Sequence, residues 1–374
     1  MWEKWSTKLT TDFDYYMHDL THDPSILGPY VIVVYDHDVV AAMLVGRVRL
    51  HRVSSVISFI NVRTPKVKVL EIVAGGRLGE HSTPIDSVLA SKLSEISQSR
   101  TFDLVCFHRM PLCSELFRSI KQLPGIRVRV PHVFHYSVLS LAESTTNYPL
   151  FLSGKHRREI RRKTRIVEKC FPGKIRVQCF AEPSELERGL QDAASIDRGT
   201  WQHYLGNGLV DAMSNRTHLE FCGKQRWLRI YISYINQLPV AFLVGQLHRQ
   251  TFYCQHAGYR SEFSRFSVGS LLTNWVLNDL AQSGVQEVDL GEGEQEHHRR
   301  LGCKATDEGT VHLYSSTLRG IYLNIFFAVD EVAQVTGKKL MNGWLNKASK
   351  VCQTLLISHR TQESSSDGTP RSLA

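Results

Sequence analysis

Short runs of β-rich apolar residues dominate the first third of the chain. Val31–Tyr35 and Val39–Arg49 flank Asp36-His37-Asp38, a hairpin signal. Val53–Ile60 and Lys66–Val73 predict further strands, and Gly75, Gly76 and Gly79 predict a loop after them. Pro84–Ser97 instead places Ile85, Val88, Leu89, Leu93 and Ile96 at helical spacing, which gives one apolar face. Phe102–His108 reads as a strand, Cys113–Gln122 as a short helix and Arg127–Ser140 as extended chain.

The polar stretch Glu143–Tyr148 predicts a boundary. After it, Gly154–Lys169 reads as a helix with a narrow apolar stripe at Ile160, Val167 and Phe171, stopped by Pro172-Gly173. Ile175–Phe180 reads as a strand, and a helix opens at Pro183 and runs to Asp197. Leu228–Ile235 and Leu238–His248 form a second hairpin around Asn236-Gln237. Strand Thr251–Ala257, helix Val268–Gln282, strand Val285–Leu290 and a last strand at Thr310–Ser316 follow. This order of hairpin, strand, helix and strand repeats that of the first half, in layout and not in residues. It predicts an α+β protein of two related domains in tandem, 1–144 and 145–318, each a mixed sheet flanked by helices. Tyr322–Val335 and Leu340–Leu356 read as helices within 319–360, and the polar segment 361–374 as a disordered tail.

Composition agrees with two domains. The chain has 374 residues, 42% hydrophobic and 22% charged, enough for a core in each half at roughly 150 residues per domain. No run reaches the roughly 18 apolar residues of a membrane span, and Met1–Trp5 has no apolar leader region. The eight cysteines form no C-x-x-C pair, which points to reduced thiols in a cytoplasmic protein.

The formal net charge of +9 is local. Lys155–Lys169 holds eight Lys/Arg against two Glu, a net of +6, which leaves +3 for the rest. Such a helix suits an anionic partner or a solvated face. Nucleic-acid binding through 155–169 is disfavoured, because no aromatic residues interleave the charges and the rest of the chain is nearly neutral. The C-terminal helices, with Lys338, Lys339, Lys347 and Lys350, either pack on the body or touch an anionic membrane surface.

The chemistry concentrates in Thr251–Gly302. A helix beginning near Gly269 leaves backbone N–H groups free and carries partial positive charge, so Val268, Gly269, Ser270 and Leu271 are a candidate cradle for a pyrophosphate, with Arg265 in the approach. Arg260 lies in the same loop. The bland alternative is a strand–helix connection whose glycine serves packing. Asp289-Leu-Gly-Glu292-Gly293 lacks the third glycine of a dinucleotide site, and turn chemistry is its alternative reading. His297 and His298 suit proton transfer near neutral pH. With Cys303 they match no zinc spacing, so no metal is expected. No G-x-S-x-G, P-loop or H-E-x-x-H occurs, which favours direct transfer between two bound substrates.

Asp289–Gly302 resembles a motif, roughly D-x-G-x-G-x-x-x-Y-K-x-x-x-G, of GNAT-superfamily acetyltransferases associated with bacterial cellulose and exopolysaccharide biosynthesis. Asp289, Gly291, Gly293 and Gly302 fall in register, and His297-His298 replaces the Tyr-Lys pair. Ser153-Gly-Lys155-x-Arg157-Arg158-x-Ile160-Arg161-Arg162 is similar to the family's basic helix. Arg198-x-x-Trp201 resembles its Arg/Ser-Trp element, and Ser267-Val268-Gly269-x-Leu271-Leu272 its S-P-G-x-x-L, with Val268 for proline. The matched order covers about 145–310. The resemblance implies a tandem GNAT fold and an acyl-CoA donor, usually acetyl-CoA, with its pyrophosphate on the amides around Val268–Leu271. It implies an amine acceptor, on a sugar or polysaccharide precursor, deprotonated by His297, His298 or a carboxylate such as Glu292, with Asp289 beside it. Strand amides near Gln255–Gly258 would stabilise the oxyanion. Trp201, Arg198, Lys155 and Arg158 would contact the acceptor. The related Fem-type peptidyltransferases use aminoacyl-tRNA and usually carry a coiled-coil insertion, for which this chain has no sustained heptads. A catalytically inactive scaffold of the same fold is the other alternative.

Overall fold

In the computed structural model, residues 2–52, 54–57, 60–123, 127–141, 153–204, 206, 208–209, 216–292 and 295–332 are described. The chain opens with helices α1 (Trp2–Trp5) and α2 (Phe13–His22) and strands β1 (Ile26–Asp36) and β2 (Val39–His51). A ribbon of β3 (Ser54–Ile57) and β4 (Ile60–Arg63) leads to β5 (Val67–Gly79). Helix α3 (Thr83–Gln98), β6 (Leu104–Pro111), α4 (Glu115–Gln122) and β7 (Arg127–Ser140) complete the first half. The second holds α5 (Gly154–Cys170), β8 (Ile175–Phe180), α6 (Pro183–Asp197), α7 (Trp201–Tyr204), α8 (Arg216–Lys224) and β9 (Leu228–Ile235). There follow β10 (Leu238–His248), β11 (Thr251–Tyr259), α9 (Val268–Gln282), β12 (Glu287–Glu292), α10 (Gln295–Arg300) and β13 (Lys304–Tyr314), with a final helix, α11, over 318–332.

Eleven strands join in one mixed sheet, ordered β1-β2-β5-β6-β13-β7-β12-β11-β10-β9-β8. The two halves are built alike. Each has an antiparallel hairpin, β1–β2 or β9–β10, whose two turn residues have positive φ: His37 and Asp38 at 43° and 64°, Asn236 and Gln237 at 51° and 69°. Such turns match the right-handed twist of the strands they join. Each hairpin is followed by an antiparallel strand (β5 or β11), a helix (α3 or α9) and a parallel strand (β6 or β12). The likeness extends to residues. Strands β2 and β10 share Ala-x-Leu-Val-Gly, at Ala42–Gly46 and Ala241–Gly245, a repeat that reading for layout alone passed over.

The period-two alternation of these strands feeds both faces of the sheet. Leu44 packs with Leu89 and Leu93 of α3, and Met43 and Val45 with Tyr16 of α2. Leu243 packs with Leu272, Val276 and Leu280 of α9, and Phe242 and Val244 with Leu186, Leu190 and Ala193 of α6. The halves also exchange strands. β13, from the end of the second half, lies beside β6, and β7, from the first, lies beside β12. The two strands pair with each other across the middle.

Gly75 and Gly76, expected in a loop, lie inside β5, where the strand bulges instead of ending. Helix α11 packs Leu323 and Phe327 against Val67, Val69 and Leu104 and leaves Leu318 and Ile325 exposed. The expected helix at 340–356 and the tail at 361–374 lie outside the described residues. Among the described residues, no helix is long and apolar enough to cross a membrane.

Candidate active site

Strands β11 and β12 pair in parallel from Thr251 to Tyr253 and from Glu287 to Asp289, and then part. Both bulge where they separate. On β10, Val244 faces His256 and Gly245 faces Cys254, so Gln255 is the extra residue of β11. On β7, Val138 faces Asp289 and Ser137 faces Gly291, so Leu290 is the extra residue of β12. A bulge bends its strand and sharpens the local twist, so two at one point splay the pair. Gly245 permits the first, because a Cβ there would collide with the Phe252 ring and the Tyr253 carbonyl. Beyond Tyr253, among the described residues, no strand pairs with the edge of β11 that faces β12.

Helix α9 starts where β11 ends. A 3-10 turn, Ser261–Phe266, leads to Ser267, whose φ of 53° reverses the chain into the helix without a side-chain cap. The first bond of α9 runs from Leu271 N–H to the Ser267 carbonyl, so the amides of Val268, Gly269 and Ser270 have no acceptor within the helix. Val268 is buried, and a Cβ at Gly269 would press on the Tyr259 ring at 3.1 Å. The glycine therefore serves packing, and the same close approach keeps the helix start against the end of β11. Arg265 is exposed, with its guanidinium 4.6 Å from the Phe266 ring.

The splay opens onto a cavity of about 420 Å³ at the junction of the halves. Gln255, Asp289, Gly291 and Glu292 line it from the second half, Arg109 and Tyr136 from the first. Asp289 is buried, and its Oδ1 accepts the Gly291 N–H at 2.9 Å and the Tyr136 hydroxyl. This explains the Asp-x-Gly spacing, since a carboxylate just before the bulged Leu290 satisfies the Gly291 amide just after it. The other oxygen, Oδ2, is buried without a hydrogen-bond partner and lies 3.8 Å from the Arg109 guanidinium. Arg109 stacks 3.4 Å from the centre of the Tyr136 ring and pairs with Glu308 at 2.9 Å. Burial, and then the Asp289 charge, push the Tyr136 hydroxyl well above its usual range, so it stays a donor. Burial and Asp289 also push the Cys254 thiol up to about 12, which leaves it a poor nucleophile at neutral pH.

Of the residues singled out in the sequence, Asp289 and Glu292 line this cavity, with Asp289 buried and Glu292 exposed. Val268, Gly269, Ser270 and Leu271 form the helix start. His298 is buried on α10, which also carries His297, whose side chain lies outside the described residues. Trp201 begins α7, and its side chain is likewise not described. Arg198 is exposed at the end of α6, and Lys155 and Arg158 are exposed on α5. These three cations are not part of the cavity lining among the described residues. Sequence reasoning missed Arg109, Tyr136 and Glu308, which reach the site on β6, β7 and β13. Among the described residues, no group of three His, Cys, Asp or Glu is placed to hold a metal.

Residues 154–299 match the sequence model of the acetyltransferase (GNAT) domain. Among solved structures, FemX superposes with a TM-score of 0.56 at 8% identity, over 80% of this chain and 90% of its own. L-PGS from Bacillus licheniformis gives 0.45 at 12% identity, over 81% and 88%. A tandem GNAT protein from the clavulanic acid biosynthesis pathway gives 0.42 at 12% identity, over 81% and 87%. Among curated proteins, no sequence matches. The domain match and the FemX superposition define the class: the chain has the GNAT acyltransferase fold, here as two related units sharing one sheet.

Proposed function

We propose that this protein transfers an acyl group from an acyl-CoA thioester, acetyl-CoA in the first instance, to an amine. The observation that carries the reading is the double bulge at Gln255 and Leu290, which parts β11 and β12 just ahead of the free amides of α9. In this reading the donor lies in the splay. Its pyrophosphate sits on the amides of Val268, Gly269 and Ser270, with Arg265 at the approach. The thioester carbonyl lies along the unpaired edge of β11, where amides between Gln255 and Gly258 meet the developing oxyanion. The acceptor amine enters the cavity and donates to Oδ2 of Asp289, a buried acceptor with no hydrogen bond, whose charged neighbour is Arg109 at 3.8 Å. The amine nitrogen attacks the thioester carbon, and its proton passes to Glu292, the exposed carboxylate on the same strand, or to His297 or His298 beyond it. The tetrahedral intermediate then expels CoA as thiolate. Trp201, Arg198, Lys155 and Arg158 remain candidates for a larger acceptor, and the motif at Asp289–Gly302 supports an amine on a sugar or polysaccharide precursor. The chemistry belongs to the second unit, 145–318, completed by Tyr136 and Arg109 of the first.

The test is calorimetric titration of the full chain with acetyl-CoA, free CoA and a long-chain acyl-CoA. Acetyl-CoA should bind, and Ser270→Glu should weaken it at least tenfold by setting a negative charge against the pyrophosphate. The substitution leaves α9 intact, because an acid in the first turn favours a helix. If none of the three ligands binds, the donor reading fails.

A further inference from the structure

The first unit has its own splay, which the proposed reaction does not use. Strands β5 and β6 pair in parallel only as far as Ile72 and Phe107. The register of β5 on β2 jumps from Gly46–Ile72 to Leu44–Arg77, so Val73–Gly76 bulge out opposite one residue. On β6, His108 and Arg109 bulge between Phe107 and Met110. The opening holds a cavity of about 550 Å³, larger than that of the second unit, and His108, Arg109, Lys8, Arg77, Ser82 and Thr83 are in its wall.

The wall's two carboxylates are each tied to an arginine, Asp86 to Arg77 at 2.7 Å and Glu115 to Arg118 at 2.8 Å, and two of its cations are held from behind. His108 Nε2 lies 2.5 Å from Glu71, and the two side chains are 44% and 6% exposed. Arg109 lies 2.9 Å from Glu308, at 31% and 13%. In each pair the cation faces the opening and the carboxylate that fixes it stands behind. Arg47, 2.7 Å from Glu71, holds that carboxylate ionised from the far side. Arg109 and Lys8 also line the cavity of the second unit, with Gly75 and Pro111, so the two cavities adjoin along these four residues.

From this arrangement we infer that the β5/β6 cavity binds a carboxylate or phosphate group, and that this group is the far end of the acceptor whose amine enters the second cavity. The first part stands on the cavity and its cations. The second rests on the acyltransferase reading.

The test uses the full chain saturated with CoA, which fills the donor splay. Inorganic phosphate and, separately, succinate are titrated into it by calorimetry. One of them should bind with a dissociation constant of about 1 mM or tighter. His108→Gln, which keeps a hydrogen bond to Glu71, and Thr83→Glu, at an exposed position of the wall, should each weaken that binding at least tenfold. Binding of phosphate alone assigns a phosphate-bearing acceptor, and of succinate alone a carboxylate-bearing one. No binding by either anion, or binding indifferent to both substitutions, overturns the site. Thiol release from acetyl-CoA should then be faster with glucosamine 6-phosphate than with glucosamine in the phosphate case, or with lysine than with cadaverine in the carboxylate case. Equal rates within the pair overturn the acceptor assignment. Failure of CoA, acetyl-CoA and the long-chain acyl-CoA alike to bind sinks the donor reading and leaves the anion titration standing by itself.

Discussion

Arg109 and Gly291 occupy the same place in the two units. Each stands two residues beyond the last parallel pair, Phe107 on β6 and Asp289 on β12, and each has positive φ, 53° and 69°. The second unit meets this conformation with glycine, and the first with an arginine whose side chain crosses into the other unit's site. Nothing lies within 4 Å of where a Cβ would stand at Gly291, so Gly291→Ala carries a conformational cost alone, about 1–2 kcal/mol. Gly291→Asn should cost less, and urea unfolding midpoints read both. Arg109→Gly relieves the same strain yet leaves Glu308 without its cation, so it should still destabilise, by about 1–3 kcal/mol.

Asp289→Ala removes the acceptor of the buried Tyr136 hydroxyl and of the Gly291 amide together. Leaving one buried and one half-buried donor unmatched should cost about 1–3 kcal/mol, read in urea unfolding. Tyr136→Phe on this background should recover part of the loss, because the orphaned hydroxyl goes with it. A double-mutant cycle that shows the two changes to be additive would mean the bond contributes nothing.

The glycines that close the shared Ala-x-Leu-Val-Gly repeat should be intolerant alike. A Cβ on Gly46 would meet Ile72 Cδ1 at 2.8 Å and the Glu71 carbonyl at 2.9 Å, and one on Gly245 would meet Phe252 and the Tyr253 carbonyl. Gly46→Ala and Gly245→Ala should each cost about 1–3 kcal/mol by overpacking. If the proposed donor site is right, Gly245→Ala should also weaken acetyl-CoA binding, since it disturbs the bulge that parts β11 from β12. Unaltered affinity would separate the bulge from the donor site.

Stability should depend on pH through Glu71 and His108. Burial pushes the Glu71 carboxyl up, but its bond to His108 and the Arg47 charge outweigh this and bring it down to about 2. Burial pushes His108 down, and its contacts with Cys106 and Glu71 outweigh that and raise it to about 10. The Glu71 contribution is complete above its unfolded value of 4.5 and is lost as pH falls towards 2. The His108 contribution is complete below 6.5 and is lost as pH rises through 10. The thermal midpoint attributable to this pair should be highest between the two unfolded values and decline on both sides. In Glu71→Gln the alkaline decline should flatten, which a pH series of melting curves would reveal.

The regular elements were legible because their signals are local. The two-residue turns at His37-Asp38 and Asn236-Gln237, the apolar spacing of α3 and the basic face of α5 can each be read within a window of a few residues. Gly75 and Gly76 misled because a glycine pair marks a wide bulge as readily as a loop. The bulge shows itself only when β5 is set against β2. Asp289 was found through its motif, and its contact with Gly291 explains the motif's spacing. Arg109, Tyr136 and Glu308 left no local trace, since their strands are brought together by pairings between distant parts of the chain. The Ala-x-Leu-Val-Gly repeat was within reach of a residue-by-residue comparison, and it would have turned a likeness of layout into one of sequence.

The traded strands bind the two halves into one continuous sheet. Here β7 borders β12 and β13 borders β6, so a half expressed by itself would present sheet edges that the other half covers in the full chain. The first half also supplies Arg109 and Tyr136 to the wall of the cavity that Asp289 lines, so the two halves share a surface as well as a sheet.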